Sequence, residues 1–436
     1  MLREVSRCAA LALLFCFSGC DSSGEPPEDE TAGTAGALAS GGSSGAGASG
    51  GSAGTAGSAG SAGAAGVTVM KDPSTYAHNS PGARYPYPQG RPLPHCALPV
   101  YNTDQIATAY NNWKTRFYQN GRVIRPDSQN DGVSEGIAYG MLIGVYMNDK
   151  PMFDALWAFA QSKFDAKGLM NWRYDASGNV VGQGSAIDAD EDMAWALLMA
   201  AQQWGGDYQA AAVTLIGNIW THGVEQGSNV LKPGDNFGGS SLTNPSYFAP
   251  SYYRVFARVG GQNWMGVVES SYATLAAASG SFGLVPNWTN AAGQPATSPA
   301  NDGNGAYYGY DACRTPWRIA LDYCTTGEPR AKAYLDKVAA FFAQRATTSV
   351  GTLFDGYTAD GSDPPTTLGD YAAGMAMFGP ATTAALTGTQ NTFLALGTST
   401  LHRNTTQPGG QFTYFNASWG VLSLLLLSGN FWEMTP

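Results

Sequence analysis

Beyond residue 100, apolar residues recur mostly at the three- and four-residue spacing of helices, and few segments alternate as strands do. The pattern predicts helices near 103–119, 134–147, 151–164, 188–204, 207–224, 246–258, 264–279, 311–325, 329–346, 369–388, 390–403 and 414–428. Short turns of Gly, Pro or Asn set them in pairs, as at Asn148-Asp149-Lys150-Pro151, Gly205-Gly206, Gly260-Gly261 and Gly327-Glu328-Pro329. A short turn forces its two helices to lie side by side and antiparallel. About six such hairpins predict an all-α double ring, one ring of helices inside the other. No hairpin closely repeats its neighbour, which argues against a regular solenoid. Segments 134–147 and 188–204 are apolar nearly all round, whereas 151–164 and 329–346 carry more polar positions. The first kind belongs to the inner ring and the second to the outer. The long connections 165–187, 225–245, 280–310 and 347–368 are rich in Gly, Asn, Asp and aromatic residues. Loops of that length in a compact domain are usually functional, and they are expected to line one open end of the barrel.

The start of the chain follows another plan. Arg3 and Arg7 precede an apolar run over 9–17 that is too short to span a membrane, so residues 1–20 read as a secretory signal. The run ends Phe17-Ser18-Gly19-Cys20, which resembles a bacterial lipobox and makes Cys20 the expected lipidated first residue; an ordinary cleaved signal is the competing reading. Residues 21–30 are polar and acidic, and 32–66 hold only Ala, Gly, Ser, Thr and one Leu. Such a stretch cannot bury enough apolar surface to offset its ordering entropy, so 21–66 is expected to be a flexible tether. Its reach is on the order of 35–40 Å. Residues 67–436 have an ordinary globular composition and can bury a large core.

A net charge of -10 argues against a nucleic-acid partner and fits an exported protein. A monomer is expected, touching a membrane through the lipid alone. Cys8, Cys16 and Cys20 belong to the leader, which leaves Cys96, Cys313 and Cys324. The last two are eleven apart on one predicted helix, roughly 16 Å, too far to bond. The domain is therefore expected to lack a disulfide framework. The four histidines show no ligand spacing, so neither a metal nor a cofactor is expected.

Three stretches bring carboxylates where apolar packing would be cheaper. Glu135, in Val133-Ser134-Glu135-Gly136, sits at the mouth of an apolar, small-residue helix that Ser134 can cap. Burying a charge there needs a partner or a function. Asp188, Asp190, Glu191 and Asp192 open the apolar run from Met193. Asp188 and Glu191 have capping-box spacing, which accounts for part of the cluster. A calcium loop fails, because Met193 and Met199 stand where the glycine and the twelfth-position acid would be. Asp311 lies in Tyr307-Tyr308-Gly309-Tyr310-Asp311-Ala312-Cys313-Arg314, three residues from Arg314, so an ion pair on one helix face is the plain explanation. The surrounding aromatic residues exceed core filling. Flat rings beside acids suit a sugar, whose ring stacks while carboxylates bind its hydroxyls. Trp172, Phe237, Tyr247, Phe248, Tyr252, Tyr253 and Trp288 in the connections extend the same pattern into an expected carbohydrate groove.

From about residue 101 onward the chain resembles glycoside hydrolase family 8, the endoglucanase family. The resemblance runs through Arg122-Val123-Ile124-Arg125-Pro126, Val133-Ser134-Glu135-Gly136, Leu169-Met170-Asn171-Trp172, Asp188-Ala189-Asp190-Glu191-Asp192, Leu231-Lys232-Pro233-Gly234-Asp235, Asn244-Pro245-Ser246-Tyr247 and Tyr310-Asp311-Ala312-Cys313-Arg314. It implies an (α/α)6 barrel and an inverting attack on β-1,4-linked polysaccharide. By the same resemblance Glu135 is the general acid, Asp311 the general base, and Asp188 the aspartate that holds the sugar at the cleavage point. Trp172, Phe237 and Tyr247 would line sugar subsites, with Tyr310 and Arg314 supporting the base. The presence of Asp311 points to the cellulase-type branch. Phe237 stands where the nearest cellulases have Trp, a smaller stacking platform. The resulting expectation is an endo-β-1,4-glucanase on cellulose-like or mixed-linkage glucans. A xylanase of the same family and a surface carbohydrate-binding protein without catalysis are the alternatives.

Overall fold

The computed structural model describes residues 70–432, apart from 92, 100, 302, 347–352, 355, 364–373 and 407–411. The leader, Cys20 and the 21–66 tether lie outside the described residues. Five helix hairpins follow one another: α2 (Ser134–Tyr146) with α3 (Lys150–Gln161), α4 (Ile187–Trp204) with α5 (Tyr208–Gly223), α6 (Pro250–Gly260) with α7 (Trp264–Ala278), α8 (Thr315–Thr326) with α9 (Pro329–Arg345), and α10 (Gly374–Thr383) with α11 (Asn391–Thr406). The sixth is made from the two ends of the domain, where α12 (Tyr414–Leu427) packs against α1 (Thr103–Phe117). This pairing closes an (α/α)6 barrel. Helices α2, α4, α6, α8, α10 and α12 form the inner ring; α2 packs on both α4 and α12, and Trp195 of α4 stacks on Tyr252 of α6 at 4.3 Å.

Burial explains which helices lie inside. Every residue of α12 except Phe415 is buried, as is every residue of α2 except Glu135. Close approach of α3 to α2 depends on Gly140, where a β-carbon would lie 2.7 Å from Leu156 and 3.0 Å from Val123. Outer α1 buries one stripe, including Ile106, Tyr110, Trp113 and Phe117, and the Trp113 indole donates to Ser418 of α12 at 2.9 Å.

The two ends of the barrel differ. Residues 70–101 form a strap over the end where the inner helices finish. Along it Tyr85 and Arg84 bond Gln203 at the end of α4, Ser80 bonds Asn148 after α2, and Arg91 bonds Gly429 after α12. At the opposite end the inner helices begin, and there the long connections lie. One contains β4 (Asn171–Tyr174) and β5 (Val180–Ser185), a hairpin that adds to β3 (Gly132–Val133) in the order β3-β4-β5. The register pairs Val133 with Arg173, so the sheet runs directly into the start of α2. Strands β1 (Tyr118–Gln119) with β2 (Arg122–Val123), and β6 (Val224–Glu225) with β7 (Val230–Leu231), are two-residue ribbons.

Four sequence expectations change. Ser134 does not cap α2: the chain is still extended at Val133, and Ser134 is the first helical residue. The Asp188/Glu191 capping box is absent as well, because α4 begins at Ile187 after Ala186 and the acids fall inside the helix. Helices expected from 246 and 311 begin later, at prolines Pro250 and Pro316 in their first turns, each preceded by a 3-10 turn. Proline is preorganised for that position. The cysteine expectation also fails, since Cys96 is bonded to Cys324 and Cys313 is buried outside any disulfide. The partner of Cys324 lies not on its own helix but on the strap, 228 residues away in sequence.

A crosslink closing so long a loop limits the unfolded chain more than the folded one. Cys96→Ser should therefore lower the unfolding free energy by about 2–4 kcal/mol. Thermal melts should show the same loss in wild-type protein under reductant, and an unchanged melting temperature in both would remove the crosslink from the account of stability.

Candidate active site

At the end where the inner helices begin, one guanidinium gathers three carboxylates. Arg314 leads into α8 on the 3-10 turn Ala312–Arg314. Its Nη1 donates to Glu135 Oε1 at 2.6 Å, to Asp188 Oδ2 at 2.7 Å and to the Tyr139 hydroxyl at 3.0 Å. Its Nη2 donates to Asp311 Oδ1 and to Ser246 Oγ, both at 2.8 Å. Glu135, Asp188 and Asp311, up to 176 positions apart in the sequence numbering, thus share one cation. Their surroundings separate them. The side chains of Arg314 and Asp188 are 1% and 0% exposed, whereas Glu135 and Asp311 keep 22% and 35%. Two carboxyls face the open end and the third lies beneath.

Local structure explains each placement. Glu135 and Tyr139 are four apart on α2, so they share a face, and the Tyr139 hydroxyl lies 3.3 Å from Glu135 Oε1. Asp188 is in the first turn of α4 and accepts from the Ala189 amide at 3.0 Å. The turn carrying Asp311 is held by Asn287, whose Oδ1 accepts from the Gly309 amide at 3.1 Å and the Ala312 amide at 2.9 Å. Tyr139, Ser246 and Asn287 were given no role from sequence. Tyr139 could have been found from its i+4 relation to Glu135; nothing in the local sequence marks Asn287.

Electrostatics follow from burial. Burial pushes the Asp188 carboxyl well up, and the Glu135 charge adds to that, against Arg314 and Arg318. Nη1 has two hydrogens and faces three acceptors, so it cannot satisfy Glu135, Asp188 and Tyr139 together. The Tyr139 hydroxyl instead donates to Glu135 Oε1 at 3.3 Å, which leaves one Nη1 hydrogen for each carboxylate. One turn further along the same helices, Arg318 pairs with Asp192 at 2.8 and 2.9 Å, buried at 1% on both sides. Burial also raises Glu191, well up, and Asp190, to about 7.

The aromatic residues divide. Trp172 on β4 and Phe237 are half-buried, and each ring lies against a glycine, Gly182 and Gly234, where a β-carbon would clash with it. Tyr310 is 40% exposed beside Asp311, with its ring edge to Phe415 at 5.8 Å. Tyr247 is buried, its ring 5.3 Å from the Arg314 guanidinium carbon. The expected groove does not include the rest. Phe248, Tyr252, Tyr253 and Trp288 are buried in the core, Tyr252 and Tyr253 within α6. A cavity of about 460 Å³ lies to one flank, lined by Asp165, Lys167, Asn171, Gln183, Asp235 and Asn236, and the three carboxylates are not in its wall. Among the described residues no group of three or more His, Cys, Asp or Glu is set to hold a metal ion.

Paired carboxyls at the open end of an (α/α)6 barrel define the class as a glycoside hydrolase. Residues 86–429 match the model of glycosyl hydrolases family 8, and the chain belongs to that family. It is 39% identical over 350 residues to Endoglucanase A of Acetivibrio thermocellus, covering 76% of this chain and 70% of that one. It is 36% identical to Endoglucanase 2 of Ruminiclostridium josui, covering 81% and 78%. Among solved structures it is similar to the apo beta-1,3-1,4-glucanase of Paenibacillus sp. X4, with a TM-score of 0.72 and 27% identity over 80% of this chain and 99% of that one.

The buried Asp192–Arg318 pair gives a direct test of how this end is held. Arg318→Met should cost about 3–5 kcal/mol by leaving Asp192 buried and unpaired, and adding Asp192→Leu should restore most of it. Chemical denaturation of the single and double variants checks this, and equal losses in both would show that charge desolvation is not the cause.

Proposed function

We propose that this enzyme is an inverting endo-β-1,4-glucanase acting on cellulose-like or mixed-linkage β-glucans. The observation that carries the proposal is the convergence of Glu135, Asp188 and Asp311 on Arg314, with only Glu135 and Asp311 open to a ligand. Contact with a single guanidinium keeps the nearest oxygens of Glu135 and Asp311 within roughly 8 Å of each other, compatible with a carboxyl pair that leaves room for a water. The names and identities of the relatives support the β-glucan class.

In this reading Glu135 gives its proton to the leaving glycosidic oxygen as the bond to the anomeric carbon breaks. A water adds to that carbon from the opposite ring face, and Asp311 takes the proton that the water loses. Arg314 keeps Asp311 ionised, since a nearby cation favours the charged carboxylate. Asp188, sealed beneath, acts through Arg314, from which it accepts at 2.7 Å, and not by touching the sugar. Trp172, Phe237 and Tyr310 supply aromatic surface along the chain, with the Phe237 platform smaller than an indole, while Tyr247 lies buried beneath against Arg314.

Glu135→Gln and Asp311→Asn should each abolish hydrolysis of barley β-glucan while leaving the melting profile intact; near-normal turnover in either would defeat the role assignment. Proton NMR of fresh product from the wild-type enzyme should show the α-anomer first, and a β-anomer would make the reaction retaining. Side-by-side assays on carboxymethylcellulose, barley glucan and xylan should rank xylan last.

The leader and tether fit display of the domain from a bacterial membrane, with Cys20 carrying the lipid and residues 21–66 giving it reach. Globomycin should then make the unprocessed form accumulate in membrane fractions; processing that is insensitive to it would mean an ordinary cleaved signal.

A further inference from the structure

Asp190 lies two residues after Asp188 on α4, points away from the carboxylate cluster, and is fully buried. Its Oδ1 accepts the Met170 amide at 3.0 Å, and its Oδ2 accepts the Ser185 hydroxyl. Met170 is the residue before β4 and Ser185 the last residue of β5, so one carboxylate holds both roots of the hairpin that carries Trp172. Asp235 holds the hairpin from its other side. Its Oδ1 accepts the Ser185 amide at 3.0 Å, and its Oδ2 pairs with Lys167 Nζ at 2.5 Å, with the Asp235 side chain only 1% exposed. Phe237 stands two residues beyond it. The two acids therefore meet at Ser185, one on its hydroxyl and one on its amide, and they connect both aromatic platforms to the helix that bears Asp188. The register of β4 with β3 connects the same hairpin to the helix that bears Glu135.

The chemistry described above uses neither acid. Burying a carboxylate costs free energy, and a surface hairpin could be packed more cheaply with apolar residues. The cost is accounted for if the exact seat of the hairpin matters. We infer that Asp190 and Asp235 are positioning residues that fix the Trp172 and Phe237 rings at a set distance from Glu135 and Asp188, so that a glucan stacked on the rings presents its bond to the acid. This rests on the reading that those rings bind the glucan.

Asp190→Asn in the full-length chain keeps the shape but replaces one acceptor with a donor, and Ser185→Ala removes the hydroxyl alone. Both should speed amide exchange in peptides covering 170–185 by at least about tenfold, and should raise KM on barley β-glucan about five- to tenfold, the scale of one hydrogen bond, with kcat within about twofold. In a Trp172→Ala background Asp190→Asn should raise KM no further. Unchanged exchange overturns the tether itself. Faster exchange with an unchanged KM, or with a loss confined to kcat, overturns its role in presenting substrate, as does an effect that adds fully in the Trp172→Ala background. Trp172→Ala alone separates the two levels. A normal KM in that variant removes the ring from glucan binding and this inference with it, while the carboxylate assignments still stand on the Glu135 and Asp311 variants.

Discussion

The contact on which the active end depends is the one between Arg314 and three acids. A guanidinium 1% exposed to solvent would be costly without counter-charges, and Glu135, Asp188 and Asp311 would repel one another without it. Each therefore makes the others tolerable, and the group holds together the starts of α2 and α4 and the turn before α8. The planar fork explains why this residue is arginine. Two separate nitrogens aim at two places at once, one at the Glu135–Asp188 pair and one at Asp311, which an ammonium could not do. The same geometry sets Glu135 and Asp311 apart, since they bond to different ends of the fork.

The barrel makes that contact possible by separating its two ends. Inner helices begin at one end and finish at the other, so six N-termini surround the open end, where partial positive charge favours carboxylates. The strap of residues 70–101 covers the finishing end and is tied there by Cys96–Cys324. Loop length is free to vary only where the strap is not, and there the hairpin β4–β5 and the Phe237 loop are found. Below the two exposed carboxyls, the Asp192–Arg318 pair repeats the Asp188–Arg314 contact one turn deeper, which binds the first turns of α4 to the start of α8.

Much of this was legible in the sequence, and the reasons are physical. Helical periodicity reports a buried stripe directly, so α2 and α4 were recognisable as inner helices from their uniform apolarity. Short Gly- and Pro-rich turns fixed which helices are neighbours. Glu135 and Asp311 stood out because a carboxylate among small apolar or aromatic residues is too costly to be idle. Helix starts were less legible. The pattern could not tell a 3-10 lead-in from the first turn of a helix, so Asp311 was placed on a helix face when it occupies the turn before one.

Other features existed only once the chain was folded. Pairing of α1 with α12, and of Cys96 with Cys324, joins parts of the chain too distant for any spacing rule, and a search confined to one helix misses the second. The four acids from Asp188 to Asp192 read as one cluster, yet in the barrel they face different ways: Asp188 to Arg314, Asp190 to the hairpin roots, Asp192 to Arg318. Tyr252 and Tyr253 looked like groove residues because they were grouped with the aromatic residues of the neighbouring connections, and packing within α6 turned them into core. Local sequence determined which residues must be buried and which acids demanded an explanation. What each acid faces was decided by the neighbours that six hairpins bring to it, because a side chain's partner lies across the barrel and not along the chain.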